Sequence, residues 1–288
     1  EDGHFDSLMN YAFGTCAVGF VGGGVELRQD DAIGGDYQIT PVDADGFRRA
    51  YGEVCGAYQS AHVPGVGRDA RGGRNALGSG SAHPAMLMNL FDSHDTARAL
   101  WMLRGDAEAL KLLLLMQACV PGPPMTYQGT EVGQIGALGL DGGGRDPHNR
   151  QAFPWHERDA WDADLLSHSR RVGRLRNDLY ALRRGGLRWC ATFDAAGVKQ
   201  NNQKLIAWER AFADPGDARD LNPGAVCAFH ADVERATRAT LVDTGFGANV
   251  PVKAAFATKG VVLESATDAD GRVSVTFPPQ SGVVVVPA

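Results

Sequence analysis

Asn89-Leu90-Phe91-Asp92-Ser93-His94-Asp95 joins an apolar strand candidate to a His-Asp pair. In parallel α/β proteins, functional side chains gather at the carboxyl ends of the strands. A carboxylate at such a position can accept hydrogen bonds from hydroxyl groups, and an imidazole beside it can donate one. A His-Asp pair alone is more often a surface pair in a turn than a functional site. The surrounding segments therefore decide between the two interpretations.

Strand and helix candidates alternate through the first 186 residues, which predicts a parallel sheet. The helix that begins near Asp106 should bury Leu110, Leu113 and Leu114, and the last helix should end at the glycines 185 and 186. The candidates are, in chain order, a strand over 5–11, a Gly-rich loop from Gly19 onward, a helix over 43–58, a loop over 62–83, a strand over 85–91, a helix from 106 to the prolines at 121–124, a strand over 125–127 and a helix over 163–184.

The pattern changes after Gly186, where short strands separated by turn residues replace the helices. The six predicted strands cover residues 204–210, 225–233, 239–242, 260–264, 272–277 and 282–286. Short strands at this spacing are typical of an antiparallel sandwich. We therefore predict two domains, residues 1–186 and residues 187–288.

Composition excludes several classes of partner. The chain has 288 residues and a formal net charge of −6, and it contains no Lys/Arg cluster that would track phosphates, so nucleic acid is not an expected partner. No apolar run approaches the roughly 20 residues that span a membrane. The cysteines are odd in number, widely spaced and without a CxxC, which argues against a disulfide framework and a zinc site and favours a cytoplasmic over a secreted location. They are Cys16, Cys55, Cys119, Cys190 and Cys227.

Several segments resemble the α-amylase family, glycoside hydrolase family 13, and they occur in the family's order. Residues 89–98 resemble its fourth signature region, in which barrel strand seven runs into His-Asp. Residues 121–133 resemble strand eight, with a Pro-Gly-rich entry followed by Tyr-x-Gly-x-Glu-x-Gly. Asp146-Pro147-His148-Asn149-Arg150 and Pro154-Trp155 are similar to a segment of neopullulanases and cyclomaltodextrinases. Residues 5–13 look like strand six, and residues 277–283 look like the last strand of the family's β-domain.

The resemblance implies a fold and an activity. The fold is α/β: the C-terminal part of a (β/α)₈ TIM barrel, strands six to eight, followed by an all-β antiparallel sandwich domain. The activity is retaining hydrolysis of α-glucosidic bonds in maltooligosaccharides, cyclodextrins, starch or pullulan.

The resemblance also assigns site residues. Asp95 would be the family's third carboxylate, which holds hydroxyls of the sugar at the cleavage point and favours its oxocarbenium-like state. His94 would donate to hydroxyls of the same sugar, and Asp146 and Arg150 would bind a neighbouring sugar unit. Supporting structural roles fall to Tyr127 and Glu131, and Arg98 is expected to pair with a buried carboxylate.

The catalytic nucleophile and general acid of the family lie in motifs of the form Gly-x-Arg-x-Asp and Glu-x-Trp, which this sequence does not contain. We therefore expect the chain to be a C-terminal fragment of a longer enzyme, without hydrolytic activity in isolation. The resemblance implies no metal or cofactor in this chain, because the family's calcium ligands lie further upstream. It implies an α-glucan substrate and allows a homodimer of the full-length parent.

Three alternatives differ in function. A transglycosylase or isomerase of the same family would share strands seven and eight. A non-catalytic, amylase-like binding protein would have no chemical need for the His94-Asp95 pair. A dinucleotide-binding protein is suggested by the glycines at 19–24, but their spacing is not GxGxxG. The sequence also leaves open whether Trp155 and Trp161 stack on sugars or are buried.

Overall fold

The computed structural model describes residues 9–22, 39–60 (side chains to residue 54), 87–142, 144, 147–194, 197, 204–211 and 224–288. Its parallel part begins with β1 (Met9–Asn10), which pairs with β2 (Met88–Asn89). Asn89 also forms a parallel bridge to Pro124 on its other side. Three segments that are far apart in the sequence thus lie side by side in chain order, as the resemblance implies for strands six to eight.

Asparagine side chains connect these three segments. Asn10 Nδ2 donates to Asn89 Oδ1 at 2.9 Å, and Asn89 Nδ2 donates to the Pro121 carbonyl at 2.7 Å. Both asparagines are buried, so each bond satisfies a polar group that has no access to water. The carboxyl ends of the segments are thereby fixed relative to one another.

Six α-helices lie within the described residues. Asp106 caps α4 by accepting from the Glu108 and Ala109 amides, and Asp162 caps α5 by accepting from the Leu165 amide. Short 3₁₀ turns cover Thr130–Val132, His148–Arg150 and Arg158–Ala160. The helices are α1 (Tyr11–Val21), α2 (Ala44–Ser60), α3 (Ala99–Met102), α4 (Ala107–Cys119), α5 (Ala163–Asp178) and α6 (Tyr180–Arg184). None of these helices is long and apolar enough to cross a bilayer.

The structure corrects the prediction near the N-terminal end. Residues 5–8 of the predicted strand 5–11 lie outside the described residues, and Tyr11 already belongs to α1. The helix begins there because Asn10 Oδ1 accepts from the Phe13 amide at 3.0 Å. Gly19, predicted to begin a loop, lies inside α1, where a Cβ would approach the Thr40 carbonyl oxygen to 2.4 Å. This glycine therefore serves close packing within a helix.

Two later elements also differ from their predictions. The strand predicted over 125–127 is reduced to the single bridge at Pro124, one residue earlier. The helix predicted over 163–184 is interrupted at Leu179, whose φ of −93° and ψ of 103° separate α5 from α6. Gly185 follows α6 with φ −70° and not in a left-handed conformation. It is required for space, because a Cβ would lie 2.6 Å from the Ala181 carbonyl oxygen.

The second part of the chain is antiparallel, as predicted. The strands are β3 (Gly186–Phe193), β4 (Leu205–Ala211), β5 (Ala225–His230), β6 (Thr237–Val242), β7 (Val252–Ala257), β8 (Val262–Leu263), β9 (Val273–Phe277) and β10 (Ser281–Pro287). Their order is β7-β10-β5-β4-β3-β6-β9-β8. The N-terminal half of β3 pairs with β4 and its C-terminal half pairs with β6, so β3 joins two sheets that enclose a common core. The sequence prediction missed β3 and β7.

The strands β4, β5 and β10 of this sandwich are buried on both faces. Along β4, Leu205 and Ala207 point into the sandwich core, whereas Ile206 and Trp208 join the core formed with the helices. Trp208 Nε1 donates to the Cys119 carbonyl at the end of α4 at 3.0 Å. The polypeptide changes from helices to strands between Arg184 and Gly186, where the domain boundary was predicted. The boundary itself stays a prediction, since one core includes residues from both sides of it.

Candidate functional site

The loop after β2 forms a tight turn that is closed by its own hydroxyl groups. The Ser93 amide donates to Thr96 Oγ1 at 2.9 Å, and the Asp95 amide donates to Ser93 Oγ at 3.0 Å. Serine and threonine commonly satisfy loop amides in this way. Ser93 and Thr96 are buried, and the side chains of His94 and Asp95 between them are about half exposed.

Side-chain nitrogens of two residues lie close to one oxygen of the Asp95 carboxylate. His94 Nε2 lies 3.2 Å from Asp95 Oδ1, and Arg150 Nη2 lies 3.5 Å from the same atom. The His94 contact joins adjacent residues, whereas Arg150 comes from the loop after the Pro124 segment, 55 residues away. Because all three side chains are partly exposed, sugar hydroxyls can reach the carboxylate and compete for these contacts.

Asp92 performs a different task from its exposed neighbour Asp95. It is buried, and its Oδ2 accepts from the Ala99 amide at 3.1 Å and from Thr130 Oγ1 at 3.0 Å. Burial raises the pKa of this carboxyl group to about 6. Asp92 therefore fastens the strand end to the start of α3 and to the loop that carries Thr130.

Arg98 connects the loops underneath the site. Its Nε donates to the Asn149 carbonyl at 3.0 Å, its Nη1 donates to the Gln128 carbonyl at 2.5 Å, and its guanidinium lies 4.1 Å from the centre of the Tyr127 ring. Arg98 was expected to pair with a buried carboxylate. The bonds instead reach backbone carbonyls, and Asp92 acts on Arg98 through its charge. Burial lowers the pKa of the Arg98 guanidinium.

Asn149 was not singled out in the sequence, although it lies next to Arg150. Its Nδ2 donates to the His94 carbonyl at 3.0 Å and to the Thr96 carbonyl at 2.7 Å. These two bonds close the turn that carries Asp95, and the Asn149 side chain is buried. The only sequence signal for this role is its place in the Asp-Pro-x-x-Arg segment.

The other site predictions have mixed outcomes. Asp146 lies outside the described residues. Trp155 is 62% exposed and packs against Phe153 with ring centroids 4.3 Å apart, so it is not buried. Trp161 is partly buried, and its Nε1 donates to the Pro154 carbonyl at 2.9 Å. Within the described part of the chain, no three His, Cys, Asp or Glu side chains are grouped as metal ligands.

Comparisons with known proteins agree with this architecture. A family model described as the α-amylase catalytic domain matches residues 78–164, which include both β2 and the Pro124 segment. A cyclomaltodextrinase from Bacillus sp is 36% identical over 207 residues, which cover 71% of this chain and 28% of that relative. The chain belongs to the α-amylase family.

Other proteins are similar over shorter stretches or in structure alone. Neopullulanase 2 from Thermoactinomyces vulgaris is 35% identical over 102 residues, which are 35% of this chain and 16% of the relative. The debranching enzyme from Nostoc punctiforme shares the fold, with a TM-score of 0.69 over 98% of this chain and 48% of that chain at 23% identity. The chain thus spans 28% and 16% of these two relatives and about half of this structure.

Proposed function

We propose that this chain provides the sugar-binding end of strand seven and the following loops in an α-glucan-active glycoside hydrolase. The observation that carries the proposal is the convergence of His94 and Arg150 on the half-exposed carboxylate of Asp95. The names of the similar proteins, cyclomaltodextrinase and neopullulanase, support α-glucans as the substrate class.

In the proposed mechanism, Asp95 accepts hydrogen bonds from two hydroxyls of the sugar at the cleavage point. These bonds strengthen as the ring flattens toward the oxocarbenium-like state, so they lower the barrier more than they increase ground-state affinity. His94 donates to a hydroxyl of the same sugar. Arg150, which contacts Asp95 before sugar arrives, turns to a hydroxyl of the neighbouring unit.

A retaining glycosidase also needs a nucleophile and a general acid on opposite sides of the scissile bond, about 5 Å apart. We propose that both come from residues outside these 288, because the motifs that carry them in the family do not occur in the sequence. On this account the chain binds an α-glucan but does not cleave it alone.

The test uses the purified 288-residue chain. Maltotriose and cellotriose, which differ in the configuration of the linkage, are compared by saturation-transfer NMR, and reducing ends released from maltoheptaose are assayed in parallel. Signal transfer to maltotriose above cellotriose, without release of reducing ends, is expected. Absence of transfer to maltotriose would remove the sugar-binding proposal, and release of reducing ends would place nucleophile and acid within this chain.

A further inference from the structure

Arg150 contacts Asp95 from a loop that is remote from β2 in the sequence. The two residues are 55 positions apart, and the distance between Arg150 Nη2 and Asp95 Oδ1 is 3.5 Å. A long side chain with 42% exposure can adopt many rotamers. The position of its backbone therefore limits which of these rotamers bring the guanidinium to the carboxylate.

The backbone beside Arg150 is fixed by Asn149. Asn149 Nδ2 donates to two carbonyls, those of His94 and Thr96, which flank Asp95 on either side. The amide thus spans the turn that carries the carboxylate. The same turn is already closed from within by Ser93 and Thr96, so Asn149 attaches to an ordered partner.

Arg98 fixes Asn149 from the opposite direction. Its Nε donates to the Asn149 carbonyl at 3.0 Å, and its Nη1 donates to the Gln128 carbonyl at 2.5 Å. A planar guanidinium makes both bonds in one orientation, and the Tyr127 ring under it limits other orientations. Asn149 and Arg98 are 1% and 0% exposed, so neither is accessible to a polymeric sugar.

We propose that Asn149 and Arg98 are positioning residues that set the reach of Arg150 to Asp95. They attach the loop after the Pro124 segment to the turn after β2. The subsites formed by Arg150 and Asp95 therefore keep a fixed relative position, so one glucan chain can bind both. This inference rests on the proposed function and adds the reason why two adjoining sugar units are recognised together.

A double-mutant cycle tests the proposal. Affinity for maltotriose is measured by isothermal titration calorimetry for the unaltered chain, Asn149→Ala, Arg150→Ala and the double variant. Asn149→Ala is expected to weaken binding about tenfold, the equivalent of one charge-assisted hydrogen bond. In the Arg150→Ala background the same substitution should change affinity by less than about twofold, because it acts through Arg150. Equal losses in both backgrounds, or no loss in the unaltered background, would overturn the proposal.

The double-mutant cycle includes a second test variant and a control variant. Arg98→Lys passes through the same cycle if Asn149→Ala does not fold by circular dichroism, since lysine keeps the charge but not the two-pronged geometry. Asn177→Ala, an exposed asparagine of α5, is the matched control and should leave affinity unchanged.

A measurement without sugar separates this proposal from the proposed function. The NMR signal of Arg150 Nε–H is compared among the unaltered chain, Asp95→Asn and Asn149→Ala. Both substitutions should move it in the same direction, because both weaken the contact between the guanidinium and the Asp95 carboxylate. If the Arg150 signal shifts in the same direction in both variants but the chain does not bind maltotriose, the proposed function is refuted and the positioning role is supported. An Arg150 signal that is unchanged in Asn149→Ala would overturn the positioning role.

Discussion

Arg210 of β4 donates through Nη1 to the carbonyl oxygen of Cys119 at the end of α4, at a distance of 2.7 Å. Its Nη2 and Nε donate to the carbonyls of Gly185 and Gly186, at 2.6 and 3.1 Å. The side chain is fully buried, and burial lowers the pKa of its guanidinium to about 10, so it remains charged at neutral pH. One arginine thus connects the last turn of a helix to the point where the strands begin.

Arg210→Met should lower the free energy of unfolding by about 3 kcal/mol, because three backbone carbonyls lose a charged donor. Urea denaturation followed by circular dichroism measures the change. The control is Arg238→Met: Arg238 is 59% exposed, lies 3.2 Å from Glu264, and should cost no more than about 0.5 kcal/mol. Similar losses for the two variants would show that the Arg210 contacts do not stabilise the junction.

Replacing two glycines by alanine should change the free energy of unfolding in opposite directions. Gly173 lies within α5 with no atom within 4 Å of an added Cβ, so Gly173→Ala should raise the free energy of unfolding by about 1 kcal/mol. Gly185→Ala should lower it by about 2 kcal/mol, since the Cβ would lie 2.6 Å from the Ala181 carbonyl oxygen and 3.0 Å from the Ala211 amide nitrogen. Thermal unfolding of both variants checks the signs. A stabilised Gly185→Ala protein would contradict the packing described at the end of α6.

Asp92 and His168 should give opposing pH dependences of stability. Burial raises the pKa of Asp92 from 3.8 to about 6, so the folded protein binds a proton that the unfolded chain releases. Stability from this group is present below about pH 4 and is lost as the pH rises through about 6. Burial lowers the pKa of His168 from 6.5 to about 4, so stability from this group increases as the pH rises between those values.

The two effects oppose each other in the unaltered chain and are separated by substitution. In the Asp92→Asn variant the free energy of unfolding should rise with pH from about 4 to about 6.5. In the His168→Gln variant it should fall over the same interval. Glutamine can still donate to the Lys111 carbonyl, which His168 Nε2 contacts at 2.9 Å. Urea midpoints measured across this pH range give the slopes, and equal slopes in the two variants would refute the burial of one of these groups.

The sequence predicted an element where apolar residues mark one helical face or form a continuous run of strand-forming residues, and it missed elements in which glycine or alanine obscures that pattern. The α2 prediction succeeded because Phe47 and Tyr51 mark one face of an otherwise polar helix. The α1 helix escaped prediction because it is apolar and glycine-containing all round, which leaves no helical period to detect. The alanines of β7, Val-Lys-Ala-Ala-Phe-Ala, have low strand propensity, so only pairing with β10 identifies it as a strand.

The candidate site divides in a similar way. His94 and Asp95 could be found because a short motif at a strand end carries them. The Arg150–Asp95 contact and the two hydrogen bonds of Asn149 join loops more than 50 residues apart in the sequence. A local sequence pattern does not show that such remote loops meet in space. The carbonyl bonds of Arg98 could not be predicted for the same reason, although its charge acts on the buried Asp92 carboxylate as expected.

The central claim, that Asp95 binds an α-glucan hydroxyl, is tested most directly by titrating maltotriose into the chain and its Asp95→Asn variant. Asp270→Asn, at an exposed aspartate between β8 and β9, is the control. We expect Asp95→Asn to weaken maltotriose binding about tenfold at unchanged stability, because a charge-assisted acceptor is lost, and Asp270→Asn to bind as the unaltered chain does. Unaltered affinity in the folded Asp95→Asn protein would contradict the account.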